Sequence, residues 1–254
     1  MLAAGSVAAA QELDPGVRRP FLRPAAAPVL ATTAPSIYAG AFLGVQRNWS
    51  NGRFTTNCDC GYADGSGYSP ALGALLEYSV SAAFLLSGEV RYAEYSTSYA
   101  TRETRSEFLV SRGSYMAVDF ERDAAITLSQ LSIGAFAAWR TGLGGVFLFA
   151  GPRFGILLKG SIAESERVLS PGLGYASTGS ADKAFAQGDL NLVGNKNSLR
   201  VEAVAGIGAD IPLRRSLKLS PRLAYAYPFT SVVKEHSSWI IPALDFNLAL
   251  LFAL

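Results

Sequence analysis

The feature that most constrains this chain is an apolar alternation with period two, cleanest between Leu199 and Ile211. Leu199, Val201, Ala203, Ala205, Ile207, Ala209 and Ile211 share one parity, and Arg200, Glu202, Gly206, Gly208 and Asp210 take the other. Successive side chains of a strand point to opposite faces, whereas a helix would scatter these residues around its circumference. One face of such a strand must meet lipid or a core. The other carries charges that need partners.

Seven more stretches follow the same rule. Ile37, Ala39, Ala41, Leu43 and Val45 alternate with Gly40, Gly44, Gln46 and Asn48. Leu72, Leu76, Tyr78 and Val80, then Phe84, Leu86, Val90 and Tyr92, form a hairpin whose other face holds Glu77, Ser79, Ser87, Glu89 and Arg91. Leu131, Ile133 and Trp139 share a phase, as do Val146, Leu148, Phe154, Ile156 and Leu158, with Arg153 and Lys159 on the inner parity. Leu217, Leu219, Leu223, Tyr225 and Tyr227 alternate with Lys218, Ser220 and Arg222; Ile240, Leu244, Phe246, Leu248, Leu250, Phe252 and Leu254 alternate with Asp245, Asn247 and Ala249.

Half of the 254 residues are hydrophobic and mean hydropathy is +0.22, yet charges recur too often for an 18-residue apolar span. A closed barrel is the other structure that satisfies every backbone polar group in lipid, and it hides its apolar residues in alternation. Connection lengths agree. Short turns fall near Ser81, Gly142 and Arg214, and long loops are expected at 50–68, 96–123, 160–198 and 228–238. Short turns on one side and long loops on the other describe an all-β, eight-stranded antiparallel transmembrane β-barrel with up-and-down meander topology over 37–254. Trp49, Tyr92, Tyr225 and Tyr227 fall near the outer strand ends, and Tyr78, Phe84, Trp139 and Phe252 near the inner ends, as two interfacial girdles require.

Ahead of the barrel, MLAAGSVAAAQELD places Ala8 and Ala10 at the −3 and −1 positions of a signal-peptidase site, so residues 1–10 read as a signal-peptide remnant. Residues 11–36, with Pro15, Pro20, Pro24, Pro28 and Pro35 among alanines, read as an extended periplasmic leader. Cys58 and Cys60 are the only cysteines; two thiols without a nearby His do not complete a zinc site, and an exported loop pair is expected. Lys and Arg total 22 against 20 Asp and Glu, without the basic run that nucleic-acid binding needs.

The segments LGALLEYSVSAAFLLSGEVRY and FLFAGPRFGILL resemble the outer-membrane β-barrel domain proteins, the OmpA/OmpX-like and PorT-like small barrels of Gram-negative bacteria. The end of the chain is similar to that family's assembly signal, with Asn247, Ala249, Phe252 and Leu254 in its places; Ala249 stands for the usual Gly and Leu254 for the usual Phe. The resemblance implies an outer-membrane location and handling by the barrel assembly machinery. Outer-membrane lipid and lipopolysaccharide are the expected surroundings, and the long outer loops are expected to contact these or another envelope or surface protein.

An eight-stranded bore is just filled by side chains. With the strands aligned by their ends, Glu77, Glu89, Arg91, Arg153, Arg222 and Asp245 share one depth and point inward, which describes a salt-bridged plug. A structural or interaction protein without enzymatic activity or cofactor is therefore the expected function. A narrow passive channel is the first alternative. A lipid-modifying enzyme is the second, resting on His236 two residues before Ser238, with Glu235 alongside. No metal cluster or phosphate loop stands out, since Gly142 to Gly145 is too short and sits at a turn.

Overall fold

The computed structural model describes residues 36–56, 61–109, 113–175, 180–190 and 194–254. The signal-peptide and leader readings, and the Cys58/Cys60 pair, lie outside these residues. Among the described residues there are twelve strands: β1 (Ile37–Trp49), β2 (Phe54–Thr55), β3 (Gly61–Tyr62), β4 (Gly65–Ser79), β5 (Phe84–Leu109), β6 (Ser114–Arg140), β7 (Val146–Val168), β8 (Asp182–Asp189), β9 (Leu199–Ala209), β10 (Ile211–Arg214), β11 (Leu217–Pro228) and β12 (Ala243–Ala253). Eight of them close a ring in the order β1-β4-β5-β6-β7-β9-β11-β12, with β12 pairing back to β1 and β10 continuing β9 at the rim. Every ring contact is antiparallel.

The stagger of the ring can be followed by register. Starting at Leu157 on β7, the partners run through Gln130, Ala93, Ala71, Gly44, Asn247, Arg222 and Gly208 and return to β7 at Phe147, ten residues away. In an eight-stranded ring that stagger tilts the strands by about 40° and leaves a bore that side chains fill. It also means that residues at matching distances from their strand ends do not share a depth.

The outward parity carries the apolar belt: Leu43, Leu72, Leu76, Val90, Ile133, Ile156, Ile207, Phe246 and Leu248 are all exposed. Trp139, Phe84, Tyr78 and Phe252 border it at the short-turn end; Tyr225 and Tyr227 border it opposite, with Trp49 stacked on Tyr225 at 5.7 Å. Tight turns close the inner end. The one between β6 and β7 needs Gly142, Gly144 and Gly145, whose φ values of 79°, 54° and 88° disfavour any other residue.

Three of the expected loops hold paired strand. β5 and β6 pair without a break from Phe84↔Trp139 to Leu109↔Ser114, so most of 96–123 is a long hairpin. β7 runs on to Val168 and is joined there by β8, which accounts for much of 160–198. β4 begins at Gly65, and β2 and β3 pair within 50–68. Beyond the belt the outward residues of β5 turn polar from Glu94 through Ser96, Ser98, Arg102 and Thr104, while Tyr95, Tyr99, Ile126 and Leu128 turn inward. From Ala93 to Leu109 this wall adds roughly 55 Å of strand length.

Candidate functional site

The bore is stacked in layers. At its centre Arg153 on β7 meets Glu89 at 2.7 Å, Asp245 at 3.2 Å and Glu202 at 3.3 Å. Arg91 on β5 meets Asp245 at 2.9 Å and the Gln46 side-chain oxygen at 2.6 Å, and Arg200 meets Glu202 at 2.6 Å. Nearer the short turns Glu77 accepts from Lys218 and Arg222, and Lys218 also reaches Asp210 at 2.8 Å. Aromatic faces cover the cations, with Arg200 over Tyr95 at 4.2 Å, Lys218 over Tyr38 at 4.4 Å and Arg222 over Phe147 at 5.4 Å.

Glu89, Arg91, Arg153 and Asp245 thus form one network, and Glu77 with Arg222 another. The expected common depth is corrected by the stagger, which sets Glu77 and Arg222 toward the inner end. Arg200, Glu202, Asp210 and Lys218 complete the two networks; the alternation gives them the same inner parity, and the stagger of the ring brings them to the same layers. Gln46 is fully buried and bridges Arg91 to the Glu94 carbonyl. Each of these five cations has a carboxylate partner, and Arg140 joins the inner network by reaching Asp210 at 3.9 Å.

Above the networks the outer connections fold inward as an apolar cap. Trp239, fully buried, stacks on Phe54 at 4.1 Å, and Phe54 packs on Tyr62 and Tyr99 at 5.3 and 5.0 Å. The Trp239 indole donates to Ser50 at 3.0 Å and Tyr99 at 3.3 Å. Backbone bonds from Asn197 to Val232 and from Lys234 to Asn195 zip the connection after β8 to the one after β11.

That zipper also occupies the sequence-level catalytic candidate. The Glu235 carboxylate accepts from the Asn195 backbone at 2.7 Å and side chain at 2.6 Å, which holds it below the usual carboxylate range. It is committed to Asn195 rather than set to orient His236. Ser238 is exposed, and its backbone carbonyl lies against Gly52.

A further correction concerns Lys159. The β6–β7 ladder bulges between Ser129 and Gln130, adding a residue on β7, so Lys159 faces outward rather than into the bore. Of the assembly-signal residues, Asn247 and Ala249 face the bore and Phe252 and Leu254 face outward.

No family model and no curated protein matches the chain. Among solved structures, Neisserial surface protein A is similar with 12% identity and a TM-score of 0.34, covering 85% of this chain and 97% of that one. The attachment invasion locus protein Ail of Yersinia pestis gives 8% and 0.30, covering 85% and 98%. The outer membrane protease OmpT of Escherichia coli gives 7% and 0.31, covering 89% and 100%. Overlaps this low carry no inference, and the assignment rests on the chain's own ring, belt and bore. With no free edge in the spanning ring and one residue in two set against lipid, the chain is built as a β-barrel of the outer-membrane type.

Proposed function

We propose that the protein is a structural or interaction protein in the outer membrane of a Gram-negative bacterium, neither an enzyme nor a channel. One observation carries the reading: the bore is filled by two ion-paired networks under an aromatic cap, while β5, β6, β7 and β8 continue outward as a wall. Filling the bore fits a barrel that serves as an anchor. A wall that outlasts the lipid belt fits contact with a partner in the extracellular space or with neighbouring envelope components.

The test removes the wall and keeps the anchor. Joining Tyr99 to Ala124 deletes the β5–β6 projection. The shortened protein should still fold into vesicles but lose the proteins crosslinked to the full chain on intact cells. An unchanged crosslinked set, or steady ion conductance by the full chain in planar bilayers, would overturn the reading.

A further inference from the structure

On the side away from β6, β7 changes neighbour. Val146 to Ile156 pair with β9, and Ser161 to Arg167 pair with β8. Between these two ladders lies the bulge that turns Lys159 outward beside Leu158. At this junction the outer wall opens into a cleft of about 530 Å³, with Thr127, Lys159, Ser161, Gln187 and Asp189 among its lining.

Position and charge together say what the cleft would hold. Ile156, Leu158 and Leu199, each more than half exposed, mark the top of the apolar belt beside it. The cleft therefore stands at the boundary where lipid headgroups lie. Lys196 approaches Asp189 at 3.9 Å and offsets its charge. Among the described residues the Lys159 ammonium has no ion pair or hydrogen bond, so it is a free cation facing the lipid boundary. Hydroxyls of Thr127 and Ser161 and the amide of Gln187 supply further donors around it.

We propose that this junction binds the phosphorylated headgroup of an outer-leaflet lipid, with Lys159 as the phosphate ligand. The inference rests on reading the chain as an outer-membrane barrel. A lysine binds phosphate as a point charge, and basic pockets at a membrane boundary select anionic headgroups. The volume exceeds what a bare phosphate fills and leaves room for an attached sugar, while the acyl chains continue down the belt below.

The experiment compares thermal unfolding of the full chain in phosphatidylcholine vesicles with and without lipid A. Bound lipid should raise the midpoint of the wild type, because a ligand held only by the folded state stabilises it. Lys159→Gln should bind about tenfold more weakly and lose most of that rise, whereas Lys159→Arg should keep it. Arg47→Gln, which removes an exposed cation lying over Tyr68, should also keep it. Dephosphorylated lipid A, or inorganic phosphate added to pure phosphatidylcholine vesicles, should give no rise. The proposal is overturned if Lys159→Gln keeps the full rise, if Arg47→Gln loses as much, or if either control reproduces it. A chain that inserts into no vesicle at all would instead overturn the barrel reading beneath it.

Discussion

Arg153 is the side chain on which the centre of the bore turns, since Glu89, Glu202 and Asp245 all converge on it. Removing one partner of a buried network leaves charge without compensation, at about 3 to 5 kcal/mol. Arg153→Leu should lose stability at the top of that range, whereas Arg222→Leu should lose less, because Lys218 still holds Glu77. Denaturant unfolding in vesicles measures both. Adding Glu77→Gln should recover part of the Arg222→Leu loss. Leu223→Arg, on the lipid face of the same strand, should cost about 2 to 4 kcal/mol near the midplane and recover nothing. Equal recovery in both backgrounds would mean that the facing of β11 is wrong. The inward parity of all these charges was legible in the sequence, because alternation alone fixes it. Their pairing was not, since which carboxylate meets which cation depends on a stagger that only the closed ring defines.

β5 and β6 show why the outer half of the fold looks like loop in the sequence. Below Tyr92 and Leu131 the apolar residues face outward to lipid; above them Tyr95, Tyr99, Ile126 and Leu128 face inward. The alternation persists but slips phase by one residue, and a search in the lipid-facing phase ends where lipid ends. The slip itself is the sequence signal of the boundary. In the wall, the segment after β7 folds back so that Leu173 and Tyr175 pack against Val118, Phe120 and Val168. Glu166 clamps it, accepting from Tyr175, Arg122 and Arg105. Burial pushes this carboxyl up, but those hydrogen bonds outweigh it and leave it below its ordinary value of 4.5. A lowered folded value means that the clamp contributes fully above the ordinary value and is lost as pH falls through the folded one. Near-UV circular dichroism should therefore show the wall loosening only in acid. Glu166→Gln should loosen it at neutral pH, read as faster chymotryptic cleavage at Tyr175. Cleavage unchanged by Glu166→Gln would show that the apolar contacts alone hold the segment.

For the whole molecule, ring closure and bore filling make separate predictions. A ring with no free edge gives detergent nowhere to open it, so the folded protein should resist SDS until heated and run anomalously on gels. A strongly helical circular dichroism spectrum would sink the fold. Filling predicts how the molecule behaves as a barrier. The cap and the ion networks close the bore in series, because Trp239, Phe54 and Tyr99 occupy its outer mouth while Arg91, Arg153 and Arg222 span the interior beneath. Two seals in series pass current only when both fail. Trp239→Ala removes the largest side chain of the cap and leaves the charged layers paired, so the variant should stay silent in planar bilayers, as the wild type should. It should lose stability all the same, by about 3 to 5 kcal/mol, the usual cost of emptying a buried aromatic site. Stepwise conductance in Trp239→Ala alone would show that the cap is the working gate and that the networks beneath it leave a continuous aqueous path.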